Sequence, residues 1–210
     1  MQQLYWKGCS NISYEAQDKI TNRLKQELDS IRMDSRKMMR ESMNLAMKFP
    51  ADRENSENMT LKRNFTDTVR QASIDCTKQM VGLAQNIMHE SMNALVDSPP
   101  CSFTVAAIGS VARGEATPYS DLEYIFILEK KTQETVEYFE KLAMTSYFMI
   151  GNLRETKLSY MAIDELSGWF DDKSINGLKF DGLAAGAGNI PTGNGSLDTE
   201  IHYIVTPQPG

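Results

Sequence analysis

At 210 residues the chain suits one domain, or a compact core with a helical extension, and is long enough to bury a substantial interior. Its formal net charge of −6 and pI of about 5.1 exclude a broad basic footprint, so nucleic acid is not an expected partner. Cys9, Cys76 and Cys101 are odd in number and widely spaced, which argues against a disulfide framework or a zinc site and for a reducing compartment. There is no signal-peptide pattern, and no apolar run approaches the ~18 residues that span a bilayer. A soluble, cytoplasmic protein without a membrane partner is expected.

From its N-terminus the chain reads as helix. Ile20, Leu24, Leu28 and Ile31 recur at helical spacing, and Met39, Met43 and Met47 continue the stripe toward Phe49. Pro50 and the polar run 51–58 break it. A second stripe steps by three and four through Leu61, Phe65, Val69, Ala72, Cys76, Met80, Leu83 and Ile87. It ends before Asp97-Ser98-Pro99-Pro100, because consecutive prolines cannot continue a helix. The two are expected to form an antiparallel hairpin packed on the rest of the chain, with the second stripe largely buried. The thirteen methionines also suit an adaptable binding groove, but at helical spacing they read first as core filler. The expected division is a helical region over 1–98 and a core over 99–210.

The core opens with an apolar run, 103–108, leading into Gly109-Ser110-Val111-Ala112-Arg113-Gly114-Glu115. Ser120-Asp121-Leu122-Glu123 follows, then a second apolar run, 124–128. This predicts a strand, a glycine turn, a short helix or loop, and a second strand with acids at its start. Residues i and i+2 of a strand share a face, so Asp121 and Glu123 would point together. Adjacent carboxylates repel unless a cation sits between them, and magnesium is commonly held by one or two carboxylates plus substrate phosphates. Backbone N–H groups after Gly109 would meet those phosphates.

Beyond Leu128 the spacing predicts a helix over 132–150, with Val136, Phe139, Leu142, Ala143 and Tyr147 on one side. Trp169 and Phe170 lie in a segment of no definite pattern. Leu178-Lys179-Phe180-Asp181 is a short alternating run, followed by a glycine-rich stretch, 182–195, and the strand-like 201–205. The glycine-rich stretch lacks the Gly-Lys-Ser/Thr of a Walker loop and the third glycine of a dinucleotide fingerprint. It reads either as a loop closing over a base, with Asn189 offering its amide, or as a surface loop. His89 and His202 lie far apart and beside no nucleophile, so a serine or cysteine hydrolase is unsupported.

Gly109-Ser110, Arg113-Gly114-Glu115, Pro118, Ser120-Asp121 and Glu123 together resemble the signature of nucleotidyltransferases of the DNA polymerase β-like superfamily. The nearest flavour is the transferase domain of bacterial PII-uridylyltransferases and their uncharacterised relatives. The resemblance implies an α+β fold: a small mixed sheet flanked by helices, here with an N-terminal long-helix hairpin. It implies magnesium or manganese held by Asp121, Glu123 and a third carboxylate on a later strand, for which Asp181 is the candidate. Gly109, Ser110 and Arg113 would hold the phosphates of a nucleoside triphosphate, ATP or UTP, and the acceptor would be a protein hydroxyl. Two features depart from the family pattern. The second acid is glutamate where aspartate is commoner, and the arginines usual after the third acid are replaced by Leu183-Ala184-Ala185.

Each residue also has a plainer role. Asp181 opens an Asp-Gly pair and suits a turn. Arg113 can pair with Glu115 or Asp121, Ser110 can cap a helix, and Ser120 orders the turn before Asp121. Two further readings of the whole chain stay open. One is a degenerate module that binds nucleotide or a partner without turnover. The other is an interaction module whose helical hairpin docks a partner through uncovered apolar residues.

Overall fold

The computed structural model describes residues 12–48, 56–154 and 203–205. Helix α1 spans Tyr14–Ala46 and begins where Ser13 accepts a hydrogen bond from the Ala16 N–H at 3.2 Å. Helix α2 spans Ser56–Ala94. Strand β1 (Phe103–Ala107), the single-turn helix α3 (Gly109–Ala112) and strand β2 (Tyr124–Leu128) follow. Helix α4 (Gln133–Asn152) starts from a capping box in which Thr132 and Thr135 satisfy each other's backbone N–H groups. Strand β3, Tyr203–Val205, is the third strand of the sheet among the described residues.

The order in the sheet is β1-β2-β3, with β1 and β2 antiparallel and β3 parallel to β2. The fold is α+β, helix-rich around a small mixed sheet. No helix among the described residues is long and apolar enough to cross a membrane.

The contacts of α1 with α2 run in opposite directions along the two helices, so the pair is an antiparallel hairpin. Arg23 meets Glu90, Asn86 Nδ2 donates to Glu27 at 2.9 Å, and Gln79 Nε2 donates to Asp34 at 3.5 Å. Leu24, Leu28 and Ile31 of α1 are buried against Cys76, Met80, Leu83 and Ile87 of α2. Each such side chain contributes about 1.5–3 kcal/mol by leaving water. Tyr147, Ile150 and Leu153 join this cluster from the α4 end, and Val111, Ala116 and Leu122 from the segment between the strands. A second cluster packs Phe126 and Leu128 of β2 on Phe139, Leu142 and Ala143 of α4. There Phe139 lies at edge-to-face angles to Phe103 and Tyr138, with ring centroids 4.9 and 5.2 Å apart.

Two expectations about the hairpin need correction. Met39, Met43 and Met47 are not core filler: with Met33 they are 62–75 % exposed. The second stripe is fully buried only from Cys76 onward; Leu61, Phe65 and Ala72 are half-buried and Val69 is exposed. The cause is where the hairpin is covered. The segment between the strands meets α1 at Arg32 and Arg36 and α2 at Ile74 and Thr77. Further along, toward Met47 and Leu61, burial of α2 falls off. In α1 the inward face continues from Ile31 through Met38, Ser42 and Leu45, with Ser42 buried, while Met39, Met43 and Met47 step by four and turn away from it. In α2 the stripe is buried in one half of the helix and only partly covered in the other.

Candidate functional site

The site lies where β1 leaves the sheet and β2 enters it. Ala107 pairs with Tyr124, and one step further the Ile108 N–H donates to the Glu123 carbonyl at 3.0 Å. That register brings the turn after β1 and the acids before β2 to the same end of the ladder. Tyr124, Phe126 and Leu128 alternate along one face of β2 and pack on the helices. The alternation continues upstream: Leu122 forms an isolated bridge and is buried, while Asp121 and Glu123 on either side of it are half-buried. The two carboxylates therefore belong to the face opposite the helical layer. They precede the strand rather than opening it, a shift of one residue or more from the expected position.

Gly109 makes the turn. Its φ of +61° is left-handed, a conformation that costs other residues about 1–2 kcal/mol. It is also the point of closest approach to Glu123, because a Cβ on Gly109 would overlap the Glu123 carboxylate oxygen Oε2. The glycine at 109 and the acid at 123 thus occupy one small volume. In α3 the first bonded amides are those of Ala112, to Ile108 O at 3.3 Å, and Arg113, to Gly109 O at 3.3 Å. The N–H groups of Gly109, Ser110 and Val111 come before them, as the donors that any helix start leaves without an intrahelical acceptor. Ile108 is the N-cap and uses no side-chain hydrogen bond. Ser110 sits inside the turn and is not its cap.

Arg113 takes the plainer of its two roles here: its Nε donates to Glu115 Oε2 at 2.8 Å, with both side chains about 60 % exposed. An exposed pair of this kind contributes about 0–1 kcal/mol, so the guanidinium can exchange partners at little cost. Ser120 orders the turn ahead of Asp121, accepting from the Thr117 N–H at 2.8 Å while its own N–H donates to Thr117 O at 3.0 Å. Among the described residues, no three His, Cys, Asp or Glu side chains gather as metal ligands. Asp181, Asn189 and the whole stretch 182–195 lie outside the described residues.

Three contacts were not legible in the sequence. Thr77 of α2 accepts a hydrogen bond from the buried Ala116 N–H at 3.0 Å. Arg36 of α1 donates from Nη2 to the Tyr119 hydroxyl at 3.1 Å. The Arg32 guanidinium lies over the Tyr119 ring, 4.6 Å from its centroid. The segment that carries Asp121 is therefore tied to both helices of the hairpin. The i, i+4 spacing of Arg32 and Arg36 was visible, but nothing local announces their partner.

Among nearby ionisable groups, burial pushes the Tyr124 hydroxyl well above the usual tyrosine range. Burial also raises Tyr138, with the Asp97 carboxylate adding to the shift. Neither tyrosine is suited to proton transfer near neutral pH.

Residues 56–151 match the family model described as "Putative nucleotidyltransferase DUF294". The match runs from α2 through α4 and includes both the glycine turn and the acid pair. It supports a relationship of this part of the chain to the nucleotidyltransferase superfamily. No curated protein and no solved structure matches the chain.

Proposed function

We propose that this chain is a metal-dependent nucleotidyltransferase that moves a nucleoside monophosphate from a triphosphate, ATP or UTP, to a hydroxyl on a protein, releasing pyrophosphate. The observation that carries this reading is the shared volume of Gly109 and Glu123. It sets a turn whose leading N–H groups have no intrahelical acceptor against a carboxylate two residues from a second one, within a segment that matches a nucleotidyltransferase family model. A turn of N–H donors suits phosphate, and a pair of partly exposed carboxylates suits a hard divalent cation. The kinship to PII-uridylyltransferases proposed from the motif is part of the same reading.

Asp121 and Glu123 would hold magnesium or manganese, with Asp181 assigned as third carboxylate on its sequence pattern alone. A bound ion of this kind supplies neutralisation of phosphate charge and a lower pKa for the attacking hydroxyl. The chain's own residues do the rest. Ser110 and the amides of the α3 turn receive the β- and γ-phosphates, and Arg113 exchanges Glu115 for a phosphate oxygen through its planar fork. These contacts strengthen as charge moves onto the departing pyrophosphate. Asp181 takes the proton of the acceptor hydroxyl as its oxygen bonds to the α-phosphorus. The work is mostly positioning and electrostatics.

A nucleotide-binding module without turnover is the second reading, kept open by the glutamate at position 123 and by Leu183-Ala184-Ala185 in place of the arginines usual after the third acid. One experiment separates the two: a panel of labelled nucleoside triphosphates with magnesium or manganese, scored for pyrophosphate release and for label on protein. Transfer that falls at least ~10²-fold in Asp121→Asn, about 2.7 kcal/mol of transition-state stabilisation, supports the transferase. Nucleotide binding without transfer, unchanged in Asp121→Asn, supports the module. Absence of nucleotide binding with either metal refutes both.

A further inference from the structure

Along its C-terminal half, on the side turned away from Ser42, α1 carries a ridge made of two kinds of residue. Met33, Arg36, Arg40, Met43 and Met47 step by three, four, three and four, which stacks them along one line of a helix, and Met39 flanks it. The four methionines, Met47 being the C-cap, are the most exposed large apolar groups of α1 and its cap. No acid lies on the line. Asp34 and Glu41 occupy the other flank, where Asp34 meets Gln79 of α2. From Arg32 to Lys48 the chain holds five basic residues against two acids, in a protein whose net charge is −6. The ridge is about 21 Å long, fourteen steps of 1.5 Å. One end of it touches the site: Arg36 is bonded to Tyr119, two residues from Asp121.

We propose that this Met–Arg ridge is the docking surface for an acidic, amphipathic segment of a partner polypeptide, laid along α1 toward Asp121 and Glu123. The charge decides the sign of the partner, since a ridge with arginines and no acid pairs with carboxylates. The methionines decide its form, since unbranched thioether side chains adapt to varied apolar side chains. A membrane surface fits less well, because helices lying in a lipid interface use Trp, Phe and Leu on the buried face and this ridge has none. Nucleic acid fits less well too, because two ridge arginines in a chain of net charge −6 make no broad basic footprint. That the segment belongs to the acceptor protein rests on the transferase reading; the docking surface itself does not.

The test is selection of random displayed peptides of about 14 residues, the stretch of α1 that they would lie along, on the full chain without nucleotide. Peptides that emerge are measured against wild type and against the exposed-residue variant Arg40→Ala/Met43→Ser/Met47→Ser, whose fold is checked by thermal unfolding. The expected result is enrichment of Asp and Glu alternating with apolar residues. Binding should weaken with salt and fall at least ~10-fold, about 1.4 kcal/mol, in the variant. Selection of peptides without acids, equal binding to both proteins, or no enrichment overturns the proposal. So does loss in the variant of binding to phosphatidylserine vesicles or to a single-stranded oligonucleotide, with the peptides unaffected. Because no nucleotide is present, failure of nucleotide transfer leaves this result standing, and failure here leaves transfer to be judged by the labelled-nucleotide panel.

Discussion

Gly109 and Gly114 form a matched pair of perturbations. Both have left-handed backbones, with φ of +61° and +73°, so alanine at either costs about 1–2 kcal/mol of stability from the backbone alone. They differ in what the new methyl meets. At Gly114 the nearest atom is Ile74 Cγ1 at 3.8 Å, ordinary contact distance. At Gly109 the methyl would occupy the space of Glu123 Oε2, and the carboxylate must swing away. Thermal or urea unfolding should therefore show similar losses for the two variants. Activity should separate them: nucleotide transfer in Gly109→Ala should fall about as far as in Glu123→Gln, at least ~10²-fold, whereas Gly114→Ala should stay within ~10-fold of wild type. A magnesium titration of transfer should likewise shift for Gly109→Ala and not for Gly114→Ala. Equal activity losses in the two would refute the argument, because the backbone cost would then account for everything and the contact with Glu123 for nothing.

Leu83→Ala, in the fully buried half of the hairpin, should cost about 2–5 kcal/mol in urea unfolding, while Val69→Ala in the open half should stay within about 0.5 kcal/mol. Thr77→Val should cost about 1–3 kcal/mol, since it strips the buried Ala116 N–H of its acceptor, and an added slow-exchange assay should show that amide losing protection. Burial raises the Tyr124 pKa in the folded state, so the unfolded chain loses this proton first as pH rises; the stabilising effect is intact below pH ~10 and declines above it. Alkaline unfolding of Tyr124→Phe should accordingly be less steep in pH than that of wild type, as followed by circular dichroism.

Helix α4 and the hairpin were legible because each writes its burial into a period that a short window can hold, as where Leu83 and Ile87 step by four. The strands were legible as short apolar runs, 103–108 and 124–128, in which every residue is apolar or nearly so and which say nothing of which face is buried. The turn at Gly109 and the acids at 121 and 123 were legible as types of residue. Their contact was not, because it depends on register: a slip of one residue between β1 and β2 would carry Glu123 away from Gly109 and to the other face. Neither short strand has a pattern strong enough to set that register by itself. The methionines failed for another reason. Met39, Met43 and Met47 step by four and so drift round the helix, away from the inward face that Leu24, Leu28 and Ile31 begin and Ser42 continues; two different faces were read as one stripe.

The segment from Gly114 to Asp121 has the turns and polar residues of an ordinary surface connection, and surface connections usually accept added residues. This one is fastened at successive points: Ala116 to Thr77 in α2, Thr117 to Ser120 within itself, and Tyr119 to Arg36 in α1. Its contour length is matched to the gap between two helices whose spacing is set by their own packing. It acts as a strut, and an extra residue placed in it has no slack to enter. Either an anchor lets go or Asp121 moves relative to Glu123. Length, more than the identity of any one residue there, is what this stretch has to preserve.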